Sequence, residues 1–245
     1  MTQLRINRPI PRSNVKNVAI VALSKYQDIF TGFQSNIDKF APEYDRVLVL
    51  DGHLIENAKH WKIVQGYKPF QMAGNANLGW KAVDPESDIF YLGDDVRLTD
   101  TGTIERLRAI AYSDPKIGMV SPKIIGGADN PLQTNPPEDK PIVYSERYLA
   151  LVCTYIKREV INNVGFLDEV TFRDCYGNDD ADYSRRVRNA GYKLAVHPQV
   201  QVKHGVDHTG TETFIRNLGG YKEDLEAMIA EHDKRYLAKW GDLVK

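Results

Sequence analysis

The sequence predicts an α/β fold, a mixed and mainly parallel sheet flanked by helices, with a helical tail. Three observations carry that prediction. Apolar runs of strand length alternate with segments of helical period. The apolar runs are continuous, as expected of strands buried on both faces. Several of them end in polar residues, the position where open α/β sheets bind ligands. Val18-Ala19-Ile20-Val21-Ala22-Leu23 closes in Ser24. Arg46-Val47-Leu48-Val49-Leu50 closes in Asp51. Asp88-Ile89-Phe90-Tyr91-Leu92 closes in Gly93-Asp94-Asp95.

Between these runs, residues 28–40 place Ile29, Phe33, Ile37 and Phe40 at helical spacing. Residues 62–64 form a short strand, 76–83 and 103–112 helices, and 117–121 the next strand. The 126–141 stretch, punctuated by Pro131, Pro136, Pro137 and Pro141, reads as a long mobile loop between two halves of one domain. After an apolar segment at 148–156, residues 157–164 form a short helix and 165–169 a turn. Residues 179–190 form a helix that Gly191 closes. Residues 192–196 and 200–203 are strands that Pro198 separates. Residues 221–240 are helical, with Leu225, Met228, Ile229, Tyr236, Leu237 and Trp240 recurring on one side. The organisation is then an N-terminal arm (1–16), a catalytic-size domain (17–208, with halves 17–125 and 142–208) and a C-terminal helical extension (209–245).

The composition excludes some classes and selects none. The 245 residues carry 32 Lys+Arg against 33 Asp+Glu, which argues against binding nucleic acid through bulk charge. Hydrophobic residues at 42% and charged residues at 27% are those of a globular chain and not of a disordered one. No apolar run approaches the roughly 20 residues of a spanning helix. The first 16 residues are polar and basic, and lack the apolar core of a signal peptide. Cys153 and Cys175 have no CxxC spacing and are expected as reduced thiols, in a protein that is cytoplasmic or peripheral to a membrane.

Three constellations can carry chemistry. Asp94-Asp95 at a strand end suits a hard divalent cation, and equally an ordinary acidic turn. Asp179-Asp180-Ala181-Asp182 opens a helix, where carboxylates cap and meet the dipole. Asp182 and Arg186 are spaced for an exposed ion pair. One of these acids could instead serve as a general base, its pKa raised by its neighbours. Among His197, His204 and His208, His204 ends a strand and is placed to be a metal ligand or simply a polar terminus.

The order and spacing of these pieces resemble the GT-A fold, Rossmann-like glycosyltransferases that use nucleotide sugars, most of all the large inverting family 2. The most specific stretch runs from Tyr155-Ile156-Lys157-Arg158 through Gly165-Phe166-Leu167-Asp168-Glu169. It continues into Asp179-Asp180-Ala181-Asp182, the basic helix ending Ala190-Gly191-Tyr192, and Val202-Lys203-His204. The likeness extends from about Val18 to Asp207. The pattern departs at Gly93, where the family's metal motif has an acid, and near Ser24-Lys25, where the common Pro and Asn are missing.

The resemblance implies roles for individual residues. Ala22 and Leu23 would pass close to the nucleotide, Asp51 would read the base, and Asn77 and Asp94 would lie on the nucleotide-sugar side. Asp95 and His204 would hold Mn2+ or Mg2+. Asp180 would be the base that deprotonates the acceptor hydroxyl. Asp168, Glu169 and Asp182 would lie on the acceptor side. The implied activity is inverting transfer of a hexosyl or pentosyl group from a UDP-, GDP- or dTDP-sugar. The acceptor is open: a saccharide, a lipid-linked saccharide, a protein or a hydroxylated nucleic-acid base. A non-catalytic nucleotide-sugar-binding module is the alternative. A nucleotidyltransferase ranks lower, because Ser24-Lys25-Tyr26-Gln27 lacks a glycine-rich loop.

Overall fold

The computed structural model describes residues 17–50, 55–68, 70–173, 177–205 and 222–243, with side chains of the last helix from residue 226 onward. Strand β1 (Val18–Ser24) leads into α1 (Gln27–Phe40), β2 (Asp45–Leu50), β3 (Lys62–Gln65) and α2 (Met72–Ala82). Next come β4 (Asp88–Leu92), β5 (Val96–Leu98), α3 (Thr103–Ala111) and β6 (Ile117–Ile125). The second half contributes α4 (Pro131–Thr134), β7 (Val143–Ser145), β8 (Cys153–Ile156), α5 (Arg158–Val164), α6 (Asp179–Asn189) and β9 (Lys193–His204). Helix α7 (Lys222–Trp240) follows.

The strands form one mixed sheet in the order β3-β2-β1-β4-β8-β6-β9-β5, with β7 also pairing β9. The β3-β2-β1-β4 portion is wholly parallel, as the continuous apolar runs imply. Strand β8 enters antiparallel between β4 and β6. Strand β9 runs parallel to β6 and carries β7 and β5 antiparallel on its other edge.

Successive side chains of a strand point to opposite faces. Ile20 and Ala22 accordingly pack with Phe30, Phe33 and Ile37 of α1 and with Leu107 of α3. Ala19 and Val21 pack with Ala76 and Trp80 of α2 and with Val160, Tyr183 and Val187 of α5 and α6. Trp80 lies edge-on to Tyr91 and Tyr183, with ring centroids 6.1 and 5.3 Å away. Helix α2 comes so close to the sheet that only a glycine fits at its point of contact. A Cβ on Gly79 would stand 2.5 Å from Val21 Cγ1 and 3.0 Å from Val49 Cγ2.

Several expectations need correction. The 126–141 segment is not a bare loop: it contains α4, and Asn130 and Gln133 are buried in it. Gln133 bonds Ser121 Oγ at 2.8 Å and both the N–H (2.7 Å) and carbonyl (3.1 Å) of Ala150, which fastens the segment to β6 and to the start of β8. Pro198 does not break β9. The strand absorbs it as an irregularity, its register with β6 shifting between His197↔Pro122 and Gln201↔Lys123. Helix α2 begins before residue 76, and β5 and β7 were absent from the sequence reading. The predicted Asp182–Arg186 pair exists at 2.9 Å, but Asp182 is fully buried and not exposed. Among the described residues no helix is long and apolar enough to cross a membrane.

Gly79→Ala tests the α2 contact. Overpacking of this kind costs about 1–3 kcal/mol, against up to ~1 kcal/mol gained in helix propensity. The expected outcome is a lower urea midpoint at unchanged slope.

Candidate functional site

The site lies at the ends of β1, β4 and β9. Strand β4 stops at Leu92, and the Gly93 N–H bonds the Val152 carbonyl at 2.9 Å. The turn that follows returns as β5, whose Val96 pairs with His204 at the end of β9. This register sets Asp95 beside His204: Asp95 Oδ2 lies 3.0 Å from His204 Nε2. Ser24, closing β1, donates its hydroxyl to Asp94 Oδ2 at 2.5 Å. Arg97 is spent on backbone carbonyls, with Nη1 2.8 Å from Asp94 O and 2.9 Å from Val96 O.

The imidazole of His204 is fixed from behind. Its Nδ1 is 2.6 Å from the Gly127 carbonyl, which can only accept, so Nδ1 carries a proton. In the neutral ring the Nε2 lone pair then faces a carboxylate oxygen that is buried and has no hydrogen-bond partner. Two lone pairs at that distance repel unless a cation neutralises them. In the absence of a metal the cation is a proton. Burial pushes the His204 pKa down, but the Asp95 carboxylate outweighs it and the pKa ends above its ordinary value.

A divalent metal fits the same pair. A histidine with its outer nitrogen held by a backbone carbonyl is the usual arrangement of a ligating imidazole. One carboxylate oxygen with one imidazole nitrogen suits Mn2+ or Zn2+ better than an all-oxygen Mg2+ site. Gly93 takes on a meaning the sequence did not give it. A Cβ there would stand 2.6 Å from Asp95 Oδ1, so any side chain at this position would displace the Asp95 carboxylate. Among the described residues no group of three or more His, Cys, Asp or Glu is placed to hold a metal, so Asp95 and His204 would hold it as a pair.

Asp180 lies in the first turn of α6, beyond the Leu151-Val152 segment that flanks Gly93. Its Oδ1 accepts from the Ala181 N–H at 2.7 Å, and the Leu151 N–H also bonds it. Burial is the main cause that raises its pKa, with the neighbouring Asp179 carboxylate adding to it. Burial likewise raises Asp179, and it raises Asp94 to about 7. Asp129 bears electrostatically on both Asp180 and His204, adding to the negative charge that each of them faces. The sequence reading missed Asp129; its only signal was an acid just after Gly126-Gly127. Gly126 has φ +110°, and a Cβ there would stand 2.1 Å from the His204 carbonyl. The β6 exit therefore needs a glycine to run past His204.

Other expected site residues are placed differently. Ala22 is in the core, and Ser24 makes the polar contact at the end of β1. The Asn77 side chain is committed to the 167–169 turn, bonding both polar groups of Leu167 and Glu169 Oε2, each at 2.9 Å. Asp168 and Asp182 face α7: Lys239 Nζ reaches them at 2.8 and 2.7 Å, and Trp240 Nε1 meets Asp182 at 2.9 Å. His197 lies in β9 opposite Pro122. Cys153 is buried, which holds its thiol protonated. Asp51, Cys175 and His208 lie outside the described residues.

No protein-family model matches the sequence, and no curated protein matches it. Solved structures do match. GalNAc-T7 with UDP, GalNAc and Mn2+ superposes over 93% of this chain with a TM-score of 0.63 at 15% identity. This chain spans about half of that one, 52%. Glucosyl-3-phosphoglycerate synthase from Mycobacterium tuberculosis, with Mn2+ and UDP-glucose, matches over 93% of this chain and 80% of its own. Its TM-score is 0.57 at 11% identity. A CMP-2-keto-3-deoxy-manno-octonic acid synthetase with CTP matches over 83% of this chain and 98% of its own, with a TM-score of 0.51 at 14% identity. The chain has the GT-A fold.

The raised carboxyls make stability depend on pH. An acid whose folded-state pKa is raised holds its proton more tightly folded than unfolded. Its contribution is present below the unfolded value near 3.9 and is lost as pH climbs through the folded one. For Asp180, raised mainly by burial, that loss falls above the ordinary carboxylate range. The metal-free protein is therefore expected to lose Tm from pH 5.5 to 8.5, and Asp180→Asn to lose less. Parallel melting curves of the two proteins across that range would refute it.

Proposed function

We propose that the protein is a glycosyltransferase that moves a sugar from a nucleotide-sugar donor to an acceptor hydroxyl, with inversion and with a divalent metal. The observation that carries the reading is the Asp95–His204 pair, two ligand atoms 3.0 Å apart at the strand ends, the imidazole locked by Gly127. The GT-A fold supports it, as do the UDP and Mn2+ of two structural neighbours. The reduced, buried Cys153 fits a cytoplasmic enzyme.

Asp95 and His204 would hold the metal, Mn2+ in the first instance. Bound there, it would stabilise charge developing on the leaving diphosphate. Asp180 would take the proton of the acceptor hydroxyl as that oxygen attacks the anomeric carbon. The bond from that carbon to the diphosphate breaks on the opposite face, and the diphosphate departs with the electron pair. A carboxylate whose pKa burial has raised accepts a proton more readily than an ordinary one does. Asp94, bonded to Ser24, would orient the donor sugar or ribose.

Thermal shift against UDP-, GDP- and dTDP-glucose with and without Mn2+ identifies the donor. Stabilisation is expected only with nucleotide sugar and metal together. Asp95→Ala and His204→Ala are expected to abolish the metal-dependent part. Asp180→Asn is expected to keep it while slowing transfer about 100-fold or more. Wild-type turnover in Asp180→Asn would remove the base assignment. Pyrophosphate release from a nucleoside triphosphate and a sugar phosphate would replace the whole reading with nucleotidyl transfer.

A further inference from the structure

Helix α7 lies outside the sheet, and its contacts with the start of α6 are unusually specific. Asn178, the residue before α6, is left-handed at φ 62°, and its side chain does not cap the helix. It turns outward, and Nδ2 donates to Asp233 Oδ1 on α7 at 2.7 Å. Gly177 is also at positive φ, +121°. Its carbonyl accepts from Nδ1 of His232, the residue next to Asp233. Burial holds His232 below its ordinary pKa, which keeps the ring a neutral donor. A left-handed asparagine persists only where its surroundings hold it.

The same helix grips α6 a second time, nearly two turns further on. Lys239 and Trp240 both bond the fully buried Asp182, and Arg185 stacks on Trp240 at 4.6 Å while also pairing with Asp242. Phe172, buried beside Tyr236 and His232, and the Arg235 bonds to the Thr171 and Arg173 carbonyls fasten residues 171–173 to the same helix. Asp180 sits between the two grips. The cluster of Phe172, Ala181 and Tyr236 is separate from the two clusters that pack on the sheet.

We propose that α7 is the positioning element of the base, and that Asp233, through Asn178, fixes where the Asp180 carboxylate points. The inference rests on the reading of Asp180 as base. Asp233 is a positioning residue: it acts on the reaction through α6 and touches no substrate.

The test compares Asp233→Ala, which removes the acceptor, with Asp233→Asn, whose amide oxygen still accepts from Asn178. Two readouts are taken: the Asp180 carboxyl titration by 13C NMR, and Mn2+-dependent UDP release from UDP-glucose or whichever donor the thermal-shift panel selects. Asp233→Ala is expected to move the Asp180 midpoint down from its raised wild-type position, because water reaches the loosened helix start. It is also expected to lower kcat tenfold or more, with donor KM within about twofold. Asp233→Asn is expected to match wild type in both. If Asp233→Ala fails to fold, Asn178→Gly removes the same bond while suiting the left-handed backbone, and is expected to reproduce the loss. Wild-type titration and kcat in Asp233→Ala or Asn178→Gly, with Asp180→Asn inactive, would overturn the proposal. Activity surviving in Asp180→Asn would instead overturn the reading of Asp180, and the titration would still decide whether α7 positions it.

Discussion

Strand β9 is the interaction on which the rest depends. Along one edge it pairs with β6 for most of its length; along the other it holds β7 near its start and β5 at its end. Strand β5 is only Val96–Leu98, and among the described residues its strand pairing is with β9. That ladder is what ties Asp95 to the sheet. The ladder that binds β5 also delivers His204, so the two candidate ligands are brought together by backbone hydrogen bonds and not by their own attraction. That matters because their attraction is conditional on a cation.

Electrostatic tension organises the site as much as packing does. Asp94, Asp179 and Asp180 all have raised pKa values, with burial the leading cause in each. The Arg97 charge only partly offsets the burial of Asp94, and Arg186 is bonded to Asp182 and to the carbonyls of Val164 and Phe166. The charge total of 32 bases to 33 acids therefore describes the chain and not its strand-end rim. Were this acidic rim to take up a diphosphate it would need counter-charge, and the Asp95–His204 pair is where the geometry offers a place for it.

Much of the fold was legible because burial writes itself into continuous apolar runs. Strands β1, β2 and β4 and helices α1, α3 and α6 lie within a residue or so of where the sequence places them. Strands β5 and β7 were not legible, since three residues carry no period and each forms only as a partner of β9. Pro198 read as a break because a local signal cannot know that the register shift beside it has room for a ring. At the site, the approach of Asp95 to His204 was implied by the family resemblance, and from the residues alone each could equally have been an ordinary polar terminus. The engagement of Asp168 and Asp182 with Lys239 was not, because their partner lies far along the chain and no local spacing announces it. Asn77 likewise looked like a ligand contact, and in the structure its polar atoms close on a turn that only the folded chain brings near.

The pairing of β5 with β9 also bears on the order in which the molecule is built. The β1–β4 sheet and its helices form from neighbouring stretches of sequence, whereas the Val96↔His204 ladder joins residues from opposite halves of the chain. Contacts of such long sequence separation form late, after the loop-closure entropy has been overcome. A partly folded chain would thus already present the ends of β1 and β4, but not the Asp95–His204 pair. A metal bound between Asp95 and His204 would therefore report that the last long strand has docked.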